Sequence, residues 1–550
     1  MSHSSPSAPA GAPPTAPAAA SHTFAPLTHR QILTILGGLM MGMFLAALDQ
    51  TIVATAIRTI GDDLNGLSLQ AWVTTAYLIT STIATPLYGK LSDIYGRKPF
   101  YMLAIGLFLA GSLLCGTAGS MYQLAIYRAI QGLGGGGLMS LAITILGDIL
   151  SPRERAKYQG YILAVFGTSS VLGPIIGGFF AGANTVLGIT GWRWIFLVNV
   201  PFGIVGLIVI WRVLHLPPLQ RHLHRIDWQG AAALVIGLVP LLLVAEQGRI
   251  WGWGSGAAFI CYALGVIGLG LFLLAERRAG EEALLPLYLF RNRTFGMSAL
   301  INTVLGMGMF GGFATLPLYL QIAKGMSPTT AGLALLPLTL GIMVASIVSG
   351  QTVSRTGRYR IFPIIGTGLL TLGALLLSQL VASSSMWEVS WRSAVFGLGL
   401  GCCFQPLVLA VQNAVPPQDM GVATSSSLFF RQMGGTLGTA AFLSILFSTV
   451  GDRIGKAFAA AAKTPAFQAA INDPAVQKDP ANAPVLGMLQ GAKPALDDSS
   501  FISHLDPRLA KPFLDGFAQS TSLVLIIAAG ILLIGFALSF TLPELPLRQV

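Results

Sequence analysis

Charge is what this 550-residue chain has least of. Asp, Glu, Lys and Arg together make 10% of it, against roughly 25% in soluble domains. So few charges cannot cover a water-soluble fold of this length. Cysteine is scarce too: Cys115, Cys261, Cys402 and Cys403 all fall inside apolar runs, without ligand-like spacing to histidine or to each other. They read as small core residues rather than disulfide or metal partners. The chain also lacks a GxxxxGK[ST] phosphate loop, an HExxH zinc pair and a GxSxG elbow, so neither ATP hydrolysis nor another enzymatic function is expected, nor any metal or cofactor. The net charge of +11 does not point to nucleic acid, because the basic residues sit in short loops between apolar runs.

What is present is apolar, 53% of the chain, with 65 glycines of the kind that let membrane helices approach closely. From Ile32 onward, runs long enough to cross a hydrocarbon core of about 30 Å recur with short polar breaks. They predict fourteen helices, near 32–57, 70–91, 99–119, 121–147, 159–182, 193–213, 229–246, 256–275, 296–321, 329–353, 361–382, 391–414, 427–450 and 516–541. Residues 1–30 are a Pro/Ala/Ser-rich tail with no signal-peptide pattern, expected to be disordered and cytoplasmic. With the N-terminus inside, the inner ends and loops hold 18 Lys and Arg and the short outer ones 5. That bias predicts cytoplasmic termini, with a short tail at 543–550. All nine tryptophans fall near helix ends, as in an interfacial belt. Residues 451–515 then form a long extracytoplasmic loop, expected to be loosely ordered.

The chain echoes itself. GKLSDIYGRKP at 89–99 and GQTVSRTGRYR at 350–360 align Gly89, Gly96 and Arg97 with Gly350, Gly357 and Arg358. Duplication explains two matches of place and pattern, and it divides the chain into an N-terminal half (31–215), two inserted helices (216–290) and a C-terminal half (291–542). The second copy has Ser354 where the first has Asp93, so a charged gate is expected in one half only.

Ionisable groups inside apolar helices are functional hypotheses by default. Asp49 lies eight residues before the expected outer end of helix 1, about 12 Å deep, and Arg128 seven residues inside helix 4, about 10 Å deep. Their similar depth suggests that they face each other. Such a pair either couples proton movement to substrate or simply orients two helices. Asp93 and Arg97 sit four apart at the end of helix 2, with Asp148 near the end of helix 4 as a partner for Arg97. In helix 5, Gly167, Gly173, Pro174, Gly177 and Gly178 predict a smooth, bent face, for packing, for a hinge, or for both. The interiors of helices 9 to 12 and 14 carry no charge, and only Arg431 in helix 13 breaks that pattern. Their polar inventory is thin, Asn302, Gln321, Gln405 and Gln412, of which Asn302, Gln405 and Gln412, with Gln131 in the first half, are candidate substrate contacts. It favours lipophilic solutes, cations among them, over sugars or inorganic anions. Glu246 reads as a solvated rim residue.

Five motifs together resemble the major facilitator superfamily, and within it the fourteen-helix drug:proton antiporters of bacteria. These are GKLSDIYGRKP after helix 2, LDQTIVATAI (48–57), RAIQGLGGG (128–136), GTSSVLGPIIGG (167–178) and WRWIFLVNVPFG (192–203). The resemblance implies an all-α membrane protein of two six-helix halves plus two inserted helices. It implies alternating access in the cytoplasmic membrane, proton-driven export of small lipophilic compounds by a monomer, proton coupling at Asp49 and Arg128, and an inner gate of Gly89, Asp93, Gly96, Arg97 and Asp148. The helix 5 glycines and Pro174 would be its antiporter signature. A dedicated exporter of one natural product or lipid fits the same residues.

Overall fold

A computed structural model describes residues 29–64, 69–150, 152–214, 227–483, 485–486 and 505–547. The expected disordered tail up to Thr28, the loop basic residues Arg221 and Arg225, and Arg548 lie outside the described residues. So does the side chain of Glu246.

Each expected span is helical, though 193–213 is interrupted at Val198 after a short turn Trp194–Leu197, and 329–353 at Leu335 after a short helix Pro328–Ala334. In chain order the main helices are α1 His29–Asp63, α2 Gln70–Tyr95, α3 Arg97–Gly116, α4 Met121–Ile149, α5 Pro152–Gly182, α6 Asn199–Val213, α7 Trp228–Trp251 and α8 Gly256–Ala279. Then follow α9 Arg293–Leu318, α10 Leu336–Thr356, α11 Ile361–Ser378, α12 Met386–Ala414, α13 Met420–Ala461 and α14 Pro507–Ser539. Thirteen membrane-length apolar helices are found among the described residues; α2, with its threonines, serines and charged end, completes the set. Short polar residues start several of them: the side chains of Ser120, Ser255, Asn292 and Ser385 accept hydrogen bonds from the first turns of α4, α8, α9 and α12.

The helix pairings repeat between the first six helices and the last six. α1 packs on α5 and α6, α2 on α4, and α3 on α4 and α6; likewise α9 packs on α13 and α14, α10 on α12, and α11 on α12 and α14. The echoed glycines play matching parts, since Gly96 ends α2 at φ +100 and Gly357 ends α10 at φ +74. Glycine meets no steric penalty in that region. The two sets of six meet along two seams, α2 against α13 and α5 against α10. The inserted helices α7 and α8 pair with each other, and α7 lies against α2 and α13. Ile79, Ile83, Leu234, Leu238, Leu242 and Phe429 are buried together there.

Three readings need correction. The region 451–515 is not loosely ordered where it is described. α13 runs on to Ala461, short helices follow at Pro465–Asn472 and Pro474–Lys478, and α14 begins at Pro507. Phe467, Ala470, Val476 and Val485 join the core of the last six helices, and the Phe458 and Phe513 rings meet edge to face at 4.8 Å. Asp506 caps α14 by accepting from the Arg508 amide at 2.8 Å, and its side-chain hydrogen bonds from Arg508 hold its carboxyl below the usual range. α13 also starts earlier than expected, at Met420, and α1 extends six residues past Ile57. Finally, Trp192 is no interfacial belt residue: it is 1% exposed and donates its Nε1–H to Asp63 at 2.8 Å. Trp211, Trp228 and Trp387 are exposed as a belt requires.

Candidate functional site

α4 reaches the middle of the first six helices because its face is bare. A Cβ on Gly132 would overlap the Tyr77 carbonyl of α2, one on Gly134 the backbone of Phe108 in α3, and one on Gly136 the Ser81 carbonyl. The RAIQGLGGG motif is thus a surface of close approach to two neighbours at once. It carries Arg128 and Gln131 inward with it.

There Arg128 Nη1 forms an ion pair with Asp49 Oδ2, both side chains fully enclosed. Gln131 ties the pair together: its Oε1 accepts from Arg128 Nη1 at 2.7 Å, and its Nε2 donates to Asp49 Oδ1 and to Ser112 Oγ, both at 2.8 Å. Asn199 Nδ2, at the start of α6, donates to the same Asp49 oxygen at 3.2 Å. Arg128 Nε donates to the Val73 carbonyl at 3.3 Å, and its guanidinium lies 4.3 Å from the Tyr77 ring centre. Five helices therefore converge on one carboxylate balanced by one guanidinium. In so dry a setting, each charge is tolerable only because of the other and of the surrounding dipoles. Sequence reasoning named Asp49, Arg128 and Gln131 but missed Ser112, Asn199 and Tyr77. Asn199 stands within the quoted WRWIFLVNVPFG motif as its one amide, which was the available signal.

A second cluster lies at the far end of α2, twenty residues or about 30 Å away. Asp93 pairs with Arg97, whose Nε donates to Asp148 Oδ2 at 2.7 Å and whose Nη1 donates to Ser92 Oγ at 2.8 Å. Asp93 also crosses the seam: its two oxygens accept from the backbone amides of Gly421 at 3.1 Å and Val422 at 2.8 Å, in the first turn of α13. A carboxylate there satisfies otherwise unpaired amides and meets the positive end of the helix dipole. Gly89 is what allows the approach, since a Cβ would overlap Ser425 and come within 2.8 Å of the Gly421 carbonyl. Buried Val408 and Leu428 join Leu141, Leu146 and Leu150 in one apolar cluster, so this end of the molecule is closed. Among the described residues no ion pair involves Arg355, Arg358 or Arg360 of the second copy, so the charged latch belongs to one half.

The helix 5 signature faces two ways. Added Cβ atoms on Gly173 and Gly177 would strike Thr51 and Ile52 of α1, next to Asp49. Those on Gly167 and Gly178 would meet Thr339 of α10 and Thr329 just before it, while Pro174 lies against Gly332. The motif thus lines both the inner packing of one half and the second seam.

The remaining polar residues are buried. Asn302 donates to the Ser298 carbonyl at 2.9 Å and to Ser427 Oγ at 3.1 Å, and Gln412 donates to Thr424 Oγ1 at 2.8 Å. Gln405 Oε1 has no hydrogen-bond partner. Gln131 belongs to the Asp49 cluster.

The family model described as Major Facilitator Superfamily matches residues 39–439. The chain is 39% identical over 407 residues to the multidrug transporter protein MdtP of Bacillus subtilis, covering 74% of the chain and 73% of that protein. It is 36% identical over 426 residues to multidrug resistance protein 3 of the same organism, covering 76% and 81%. Its fold is similar to the crystal structure of the human organic anion transporter MFSD10, with a TM-score of 0.58 at 15% identity over 92% of this chain and 99% of that one.

Proposed function

The chain belongs to the Major Facilitator Superfamily, a membrane transporter rather than an enzyme, and from that premise we propose that it exports small lipophilic compounds, cations among them, in exchange for protons. The drug-transporter names of its relatives support the substrate class. The single observation that carries proton exchange is the Asp49–Arg128 pair, enclosed among five helices with no water-facing alternative.

In this reading 31–215 and 291–542 are the two moving halves, the termini are cytoplasmic, and the latch at Asp93 closes the cytoplasmic side of the membrane. The described state is then closed to the cytoplasm. A proton arriving from outside adds to Asp49 Oδ2 and neutralises it. Arg128 loses its counter-ion, and the helices that Gln131 and Asn199 tie to Asp49 are free to shift. Because Thr51 sits against Gly173, movement of α1 reaches α5 and, through Pro174 and Gly332, the second seam. Opening of the latch exposes the substrate route to the cytoplasm. Re-formation of the pair expels the proton inward, so export draws on the proton gradient and needs no cofactor. The protein acts as a monomer, each copy holding both halves.

The test is purified protein in liposomes under an imposed pH gradient. Addition of a lipophilic cation should trigger proton flux through the wild type. Substrate transport that proceeds at the same rate with and without the gradient would overturn the reading.

A further inference from the structure

The last six helices hold a charge that the export cycle above leaves idle. Arg431 lies on α13 inside the membrane, and no ion pair among the described residues involves it. Its Nη1 is shut off from solvent and makes no hydrogen bond. Its guanidinium instead stands over the Phe404 ring of α12, 4.7 Å from the centre. The next residue in α12, Gln405, buries an amide oxygen without a partner. Arg431 is half-buried, but a guanidinium nitrogen shut away without an acceptor is costly, and proteins keep one where a ligand completes it.

Its level in the membrane follows from its neighbour. Gln432 accepts from Thr85 Oγ1 at 3.3 Å. Thr85 is eight residues from Asp93 and twelve from Val73, so Arg431 lies about 12 Å from the latch and about 18 Å from the Asp49 cluster along α2. It thus stands between the latch and the Asp49 cluster, near the midplane where carriers of this architecture bind substrate. Its backbone is pinned, since a Cβ on Gly306 of α9 would overlap the Arg431 carbonyl. The side chain is thereby directed to α12 rather than α9.

We propose that Arg431 and Phe404 form a subsite for the anionic group of an amphipathic aromatic compound, an arylcarboxylate being the simplest case. The carboxylate accepts from the free Nη1–H, the ring lies against Phe404, and the Gln405 amide, turned about its terminal bond, offers an N–H to the second oxygen. Cationic compounds are repelled from this subsite, so it selects by charge. The inference rests on the export reading for the direction of travel, but not for binding.

The experiment is therefore equilibrium binding to protein in nanodiscs without a proton gradient, with empty nanodiscs subtracted. Two probes of one shape are compared, naphthalene-1-carboxylate and the neutral naphthalene-1-carboxamide. The wild type should prefer the carboxylate by about tenfold or more, the scale of one charge-assisted hydrogen bond. Arg431→Gln should abolish the preference, and Arg431→Lys should keep part of it. Equal affinity of the wild type for both probes overturns the proposal, whatever the variants do, as does an Arg431→Gln protein that retains the preference. Wild-type discrimination decides the matter even if Arg431→Gln fails to fold. Carboxylate binding without gradient-driven transport would sink the export reading and leave the subsite standing.

Discussion

Asp49→Asn changes one atom's chemistry and keeps the shape, which makes its consequences separable. Gln131 and Asn199 both donate to Oδ1, at 2.8 and 3.2 Å, and an asparagine carbonyl can still accept from both. The loss falls on the Oδ2 side, where an amide NH2 would face the Arg128 guanidinium. Both groups are fully enclosed, at 0% and 1% exposure, so solvent does not screen the damage. Removing one partner of a buried pair costs about 3–5 kcal/mol, and the retained contacts place this case near 3. Adding Arg128→Gln to Asp49→Asn should return most of that stability, because no unpaired charge remains. Proton-driven accumulation should be lost in both variants, whereas substrate exchange without a gradient should survive in the double variant. The assays are thermal unfolding in detergent, proteoliposome uptake with and without a pH gradient, and the proton-to-substrate ratio. Uphill transport by Asp49→Asn at an unchanged ratio would refute the coupling role. A double variant less stable than the single would refute the energetic account of the pair.

Gly89→Leu should force α2 away from Ser425 and Gly421, raising the population open at the latch end and cutting transport about tenfold or more; spin-label distances across the α2–α13 seam report it, and unchanged distances would contradict the close-approach argument. Asp93→Asn removes both the Arg97 pair and the charge on the α13 amides, a dipole contribution of about 0.3–1 kcal/mol or more, so the same distances should broaden without loss of fold. Gly173→Val should collide with Thr51 and impair transport, while Gly182→Val, with open space around it, should not; equal effects would count against the helix 5 reading. For Asp506, whose pKa is lowered in the folded state, the cap's contribution is present above the unfolded value of about 4 and is lost as pH falls through the folded one. The thermal-stability gap between wild type and Asp506→Ala, small for so exposed a pair, should therefore be constant near neutrality and shrink in acid.

Asp49 and Arg128 were legible because an acid and a base stand alone in apolar helices, and nothing else in those interiors competes for them. The depth argument that joined them succeeded despite a wrong endpoint: α1 continues to Asp63, where Trp192 accepts the role of partner that water would have had. Ser112 and Asn199 were not legible in the same way, because a neutral hydroxyl or amide carries little insertion cost and many such residues only bond their own helix. The Val73 carbonyl carries no side-chain signal at all. Asp93 was placed four residues from Arg97 on one helix, and the two do pair, yet its contact with the α13 amides is a property of a helix beginning 327 residues away. Register across the seam decides that, and no local pattern encodes it. The region after residue 450 misled for the opposite reason. Alanine, proline and aspartate suggest an unstructured stretch, whereas Phe458, Phe467 and Phe513, spread over more than fifty residues, meet only once the chain has folded back.

α13 is 42 residues of unbroken helix, about 63 Å at 1.5 Å per residue and roughly twice the hydrocarbon thickness. Its first turn holds the Asp93 latch, and its last turns stand clear of the bilayer against α14, where Gly516 sits on the Ile454 backbone. A rod anchored at one end converts angle into displacement at the other: a tilt of about 10° at the latch would sweep the Ala461 tip through about 10 Å. A dye attached near that tip, remote from the Asp49 and Asp93 clusters, would work as a pointer on a dial, reading the state of a lock at the other end of the rod.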